Sequence, residues 1–115
     1  MTLIQKQSIF AQNIAHLILW IHKQEGYFCT LGEAHRPLWV AEQYQRNGTG
    51  SINSNHIIRL AMDLMIFLGG VYLKQTEDYA FAGEYWKSLH PYNRWGGDFD
   101  KPDGNHFSME YEGRK

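Results

Sequence analysis

At 115 residues the chain has the length of one compact domain with a single core, too short for a separate substrate domain. Hydrophobic residues at 43% and charged residues at 20% exclude a disordered chain, and a formal net charge of −1 argues against polyanion binding as the main task. The single cysteine, Cys29, excludes an internal disulfide and a cysteine-rich zinc knuckle.

The N-terminus carries one early lysine, Lys6, and no Ala-x-Ala cleavage pattern, so cytoplasmic synthesis without a signal peptide is expected. Residues from about 3 to 23 read as one long helix. Phe10, Ile14, Leu17, Ile18 and Ile21 form an apolar stripe, Thr2 is the N-cap and Gly26 the stop. The most apolar run, 14–21, is short and interrupted by His16, which argues against membrane insertion. His16 and His22 read as packing or surface histidines, with His22 suited to the negative end of the helix. Residues 27–34 read as a strand, with Cys29 a small residue within it. Pro37 fits the first position of a short helix reaching about Arg46. Residues 47–55 (N-G-T-G-S-I-N-S-N) form a turn-rich loop suited to the lip of a site.

Residues 59–67 alternate, with Ala61, Asp63, Met65 and Phe67 on one face and Leu60, Met62, Leu64 and Ile66 on the other. Both faces are mostly apolar, which predicts an interior strand. Gly69-Gly70 supports a tight hairpin into residues 71–73. Residues 78–89 read as a second long helix, stopped before Pro91. Residues 95–104 read as a glycine- and aspartate-rich loop, and 106–110 as a last short strand. The expected architecture is α+β: a small antiparallel sheet flanked by helices, one domain over residues 1–115, and a monomer.

Two segments carry the chemistry, S-N-H-I-I-R-L-A-M-D at 54–63 and W-G-G-D-F-D-K-P-D-G-N-H-F at 95–107. The first offers His56 and Asp63, the second Asp103 and His106. Two imidazoles and one carboxylate around a metal leave one position for water, the arrangement of catalytic zinc, and a spare carboxylate can serve as general base. Asp63 lies in an otherwise apolar strand, where a metal ion or an arginine must neutralise it. Taken alone, Asp63 could be a core ion pair, His56 a loop histidine and D-G-N-H a plain turn. Together they supply ligands and a base, which points to a zinc hydrolase. Trp39, Trp95, Phe99 and Phe107 read more readily as core than as cleft walls.

In these residues the chain resembles the zinc D-alanyl-D-alanine carboxypeptidase superfamily, most closely the bacteriophage L-alanyl-D-glutamate endopeptidases that serve as endolysins. That family shows S-x-H-x-x-G-x-A-x-D, then a tryptophan-glycine-glycine-aspartate segment, then an acidic residue three before a histidine. Ser54, His56, Ala61 and Asp63 match the first motif, Trp95-Gly96-Gly97-Asp98 the second, and Asp103 with His106 the third. Arg36 followed by Glu42-Gln43 is similar to the family's arginine-to-Glu-Gln stretch, so the resemblance spans roughly residues 33–110. It implies a LAS/hedgehog-like metallopeptidase fold with the zinc site in a cleft on the sheet. By position it implies Zn2+ held by His56, Asp63 and His106, Asp103 as general base, and Arg36 on a substrate carbonyl or carboxylate. Ser54, Arg59 and Trp95 would line the substrate site.

One departure stands out: the family's glycine three after the first histidine is Arg59 here. Arginine is awkward if that position needs positive φ, and it would add a cation to the cleft. The implied function is hydrolysis of an amide bond in the peptide part of peptidoglycan, L-Ala-D-Glu in a phage-type endolysin, with no nucleic-acid partner. Such an enzyme would reach the wall after release by another factor or with a virion. The alternatives are a D,D-carboxypeptidase or dipeptidase on the same fold, or a zinc-stabilised wall-binding or structural module without turnover.

Overall fold

The computed structural model describes residues 1–50 and 53–115; positions 51 and 52 of the turn-rich loop expected at 47–55 lie outside the described residues. Helix α1 covers Leu3–Lys23. Its start is a capping box: Thr2 Oγ1 accepts from Gln5 N at 3.2 Å, and Gln5 Oε1 accepts from Thr2 N at 2.8 Å. Phe10, Ile14, Leu17 and Ile21 are buried, and Ile18 sits half-buried at the edge of that stripe. Gly26, at φ +81°, turns the chain into strand β1, Tyr27–Leu31. His22 ends up accepting the Cys29 backbone N–H at 3.2 Å.

The strand is shorter than the expected 27–34, although Gly32 N still donates to Asp63 O, and Asp63 N to Glu33 O, both at 2.8 Å. Helix α2 follows at Leu38–Arg46, with Pro37 as its N-cap rather than its first residue. Strand β2, Ala61–Leu68, begins two residues later than expected, because Arg59 turns the chain at φ +57°. Gly69 and Gly70, both at positive φ, close the hairpin into β3, Val71–Tyr72.

The expected helix at 78–89 is two pieces, a 3₁₀ turn at Thr76–Tyr79 and α3 at Ala80–Leu89. Strand β4, Asn93–Trp95, has no counterpart in the sequence reading, which began its loop at Trp95. A 3₁₀ turn at Gly96–Asp98 leads on, through the loop before His106, to β5, His106–Met109. Among the described residues the sheet is antiparallel in the order β1-β2-β5-β4, with β3 also paired to β2.

Helices α1 and α3 cover one face of this sheet. Leu64 and Ile66 from β2, Phe107 and Met109 from β5, Leu17 and Ile21 from α1 and Trp86 from α3 form the core beneath them. Burying each such side chain contributes roughly 1.5–3 kcal/mol. Trp86 is fixed by its indole N–H, shared between the carbonyls of Arg94 (2.9 Å) and Ser108 (3.0 Å). β2 is the interior strand that its sequence predicts, but a central place in the sheet does not bury both of its faces. β2 is central within the sheet, yet only its Leu64–Ile66 face is core. Asp63, Met65 and Phe67 point to the opposite face and are half-buried. Among the described residues no helix is long and apolar enough to cross a membrane.

Candidate active site

The uncovered face of the sheet holds a cleft of about 320 Å³, lined by Arg36, Thr49, Ser54, His56, Asp63, Phe99, Asp103, His106 and Lys115 among others. Each of its functional side chains is fixed by its own local structure. His56 stands in the turns before β2. Asn55 anchors those turns by donating its side-chain amide to Met109 O at 2.7 Å, while Ser54 Oγ accepts from His56 N at 3.2 Å. The His56 Nδ1–H donates to Ala34 O at 2.8 Å, which leaves Nε2 as the free lone pair and aims it at the sheet.

Asp63 and His106 are register partners on β2 and β5, so their side chains emerge on the same face. Asp63 Oδ1 lies 3.2 Å from His56 Nε2 and 3.5 Å from His106 Nδ1, and the two imidazole rings meet edge to face at 5.1 Å. Burial works to raise the Asp63 pKa, but the two imidazoles facing it prevail and hold it at about 2. Burial likewise works to lower the His56 pKa. The Asp63 carboxylate beside it, with the Ala34 carbonyl and Glu33, outweighs burial and leaves His56 above its ordinary 6.5.

Asp63 Oδ1 is buried, and neither imidazole nitrogen beside it meets it in hydrogen-bond geometry. An atom set of this kind, two imidazoles and one carboxylate whose ligand atoms lie within 4.8 Å of one another, fits a metal ion better than an internal hydrogen-bond network. Nitrogen and oxygen donors with room for one more position suit zinc.

Asp103 is placed by backbone hydrogen bonds. Its N–H donates to Gly96 O at 2.9 Å, and its carbonyl accepts from His106 N at 3.1 Å. Trp95 Nε1 donates to Gly104 O at 2.7 Å and pins the same loop. The Asp103 side chain is 56% exposed, with Oδ2 4.0 Å from His106 Nδ1, so it stands beside the three-residue group rather than within it. Partial burial raises its pKa above 3.8; the His106 charge opposes that rise and the Asp63 carboxylate adds to it. A raised pKa makes a carboxylate a stronger base.

Arg36 enters the cleft with its Nε donating to Glu33 Oε1 at 2.9 Å, and its Nη2 bonds the same oxygen. The guanidinium also lies over the Tyr44 ring at 5.0 Å. Two other sequence candidates are not brought to the cleft. Arg59 lines a separate apolar groove beside Gln7, Phe10 and Ile14, because its positive φ turns it toward α1. Trp95 is buried in the core, as its strand register opposite Phe107 requires. Phe107 is core as expected, Trp39 is exposed, and Phe99 is a cleft wall rather than core. Glu33, Thr49 and Lys115 were not singled out from the sequence. Glu33 alone had a signal, its place three residues before Arg36.

The family model described as D-alanyl-D-alanine carboxypeptidase matches residues 47–109, which hold all four metal-site and acid–base candidates. Among solved structures, the chain is similar to the Serratia marcescens L-Ala D-Glu endopeptidase ChiX, with a TM-score of 0.73 and 19% identity. That likeness covers 88% of this chain and 77% of the other, and at such identity it is a likeness of fold. No curated protein sequence matches.

Proposed function

The chain belongs to the D-alanyl-D-alanine carboxypeptidase family, and from that premise we propose that it is a zinc peptidase cleaving the L-Ala-D-Glu amide bond in the peptide part of peptidoglycan. The observation that carries this reading is the convergence of His56 Nε2, Asp63 Oδ1 and His106 Nδ1 beside an open, acid-bearing cleft. These three residues would hold the ion. When bound, zinc supplies Lewis-acid polarisation of the scissile carbonyl and acidifies water.

Asp103 takes a proton from the attacking water at a carboxylate oxygen and returns it to the leaving nitrogen. Arg36, tied by Glu33, orients a substrate carbonyl or carboxylate oxygen; its Nη1 lies on the side of Gly50, at the cleft lip. Ser54 contributes by holding the His56 backbone. The biological setting that suits this activity is a phage-type endolysin, a single domain that reaches the wall through another factor.

The test is mass spectrometry of fragments released from purified peptidoglycan by the zinc-loaded protein. New amino termini on D-Glu are expected. Loss of a terminal D-Ala instead would make it a D,D-carboxypeptidase, and no release would leave a zinc-stabilised module. A His56→Ala, His106→Ala double variant retaining full zinc would overturn the ligand set.

A further inference from the structure

The sheet face that carries Asp63 continues beyond the cleft. Met65 and Phe67 follow Asp63 on the same side of β2, and the register sets Phe28 of β1 and Tyr72 of β3 on either side of Phe67. The Phe28 and Phe67 rings stack at 4.8 Å with planes 5° apart, and Phe67 meets Tyr72 at 5.4 Å. Phe28 is 38% exposed, and Phe67 and Tyr72 are half-buried. Cross-strand aromatic pairs stabilise a hairpin. The three rings of these two pairs, on the face opposite the helices, also make a contiguous, partly exposed apolar strip, of the kind that marks a contact surface.

This strip is joined to the cleft. A second cavity of about 210 Å³ is lined by Tyr72, Gln75, Thr76, Asp103 and Asn105, so Asp103 borders both hollows and Tyr72 borders both the second hollow and the ladder. Between them, Asn105 Nδ2 approaches Met65 Sδ at 3.8 Å. Along β2, Phe67 stands about 14 Å from Asp63, four residues at strand rise.

We propose that the Phe28–Phe67–Tyr72 ladder docks the carbohydrate strand to which the scissile peptide is attached. The inference rests on the peptidoglycan reading above. A pyranose ring has an apolar face of C–H groups and a rim of hydroxyls. The ladder matches it with an aromatic strip, with Thr30 two residues from Phe28 on the same side of β1 and with Gln75 and Thr76 lining a hollow together with Tyr72. A peptide lying in the cleft is tethered to sugar within reach of such a strip. Three partly covered rings expose far less than the roughly 800 Å² per partner that a stable protein interface uses.

Binding is tested on metal-stripped protein, so that turnover does not enter, with a tetramer of N-acetylglucosamine in solution and with purified sacculi by sedimentation. The parent should bind both. Phe67→Ser should weaken both by roughly tenfold, the value of one aromatic contact, and Phe67→Tyr should restore them. Zinc-loaded Phe67→Ser should still cleave a glycan-free stem peptide. If circular dichroism shows Phe67→Ser to be misfolded, Phe28→Ser on the edge strand carries the same expectation. Parent-like binding by a folded Phe67→Ser or Phe28→Ser would overturn the proposal. So would binding to phosphatidylglycerol vesicles in place of the sugar oligomer. A parent that binds the oligomer yet cleaves neither stem peptide nor sacculi would sink the peptidase reading and leave the ladder's sugar contact standing.

Discussion

Asp103 and Arg59 are single residues whose surroundings lead to opposite expectations on substitution. Asp103, the proposed proton acceptor, lies outside the three-residue candidate metal site, so Asp103→Asn should retain zinc and fold while turnover falls by on the order of 10²–10⁴. Zinc content and release of new amino termini, measured on the same preparation, check both halves. Arg59 holds a left-handed backbone at φ +57°. A side chain there costs roughly 1–2 kcal/mol, against 0.5–1 kcal/mol for the extra chain entropy of glycine, so Arg59→Gly should stabilise the protein by about 0.5–1 kcal/mol. Urea unfolding reads the gain, and Arg59→Ala, which keeps the strained backbone, should show none. The motif glycine was therefore legible as a backbone requirement, but the direction of the arginine side chain was not. A motif fixes spacing, and Arg59 and Trp95 show that spacing does not say which side of the sheet a side chain meets.

Among elements, the 3₁₀ turn at Gly96–Asp98 leaves no room for a side chain at Gly96. A Cβ on Gly96 would run into the Asp103 carbonyl and come within 2.8 Å of His106 Cβ. Gly96→Ala should therefore displace the proposed base, Asp103, and the proposed ligand, His106, together, destabilising the fold by on the order of 1–3 kcal/mol and weakening zinc binding. Thermal unfolding and zinc titration of the variant would reveal it; unchanged values in both would mean the turn can shift freely. Helix α1 was readable end to end because its stripe, its capping residue and its terminal glycine agree. Strand β4 was not, since Asn93-Arg94-Trp95 has no alternation to detect and exists by pairing with β5. The half-open face of β2 was hidden for a similar reason: Met65 and Phe67 are apolar whether they meet core or groove.

At the scale of the whole molecule, the site couples stability to pH. His56 has a raised pKa, so its pairing with Asp63 supports the metal-free fold fully below 6.5, and that support fades as pH rises through the raised value. The Asp63 contribution is present above 3.8 and is lost only as pH falls toward about 2, so it is constant near neutrality. Zinc requires neutral imidazole, and its binding should strengthen over the range in which the ion pair fades. The rise in Tm on adding zinc should thus be larger at pH 8 than at pH 5.5. Free zinc at a thousand times Kd should add about 4 kcal/mol. A zinc increment in Tm that did not change with pH would detach His56 from the metal.

The two-sidedness of β2 has a bearing on which length changes the chain can inherit. Its odd positions 63, 65 and 67 face away from the helices, with Asp63 alone of the three in the cleft, and its even positions 64 and 66 serve the core. Removing or adding one residue within the strand exchanges odd for even, sending a carboxylate inward and two aliphatic side chains outward in a single step. No point substitution elsewhere can repair that exchange. Length variation among descendants of this sequence should accordingly collect outside the strand, for instance in the turns that precede it, while the residue count from Ala61 to Leu68 stays fixed.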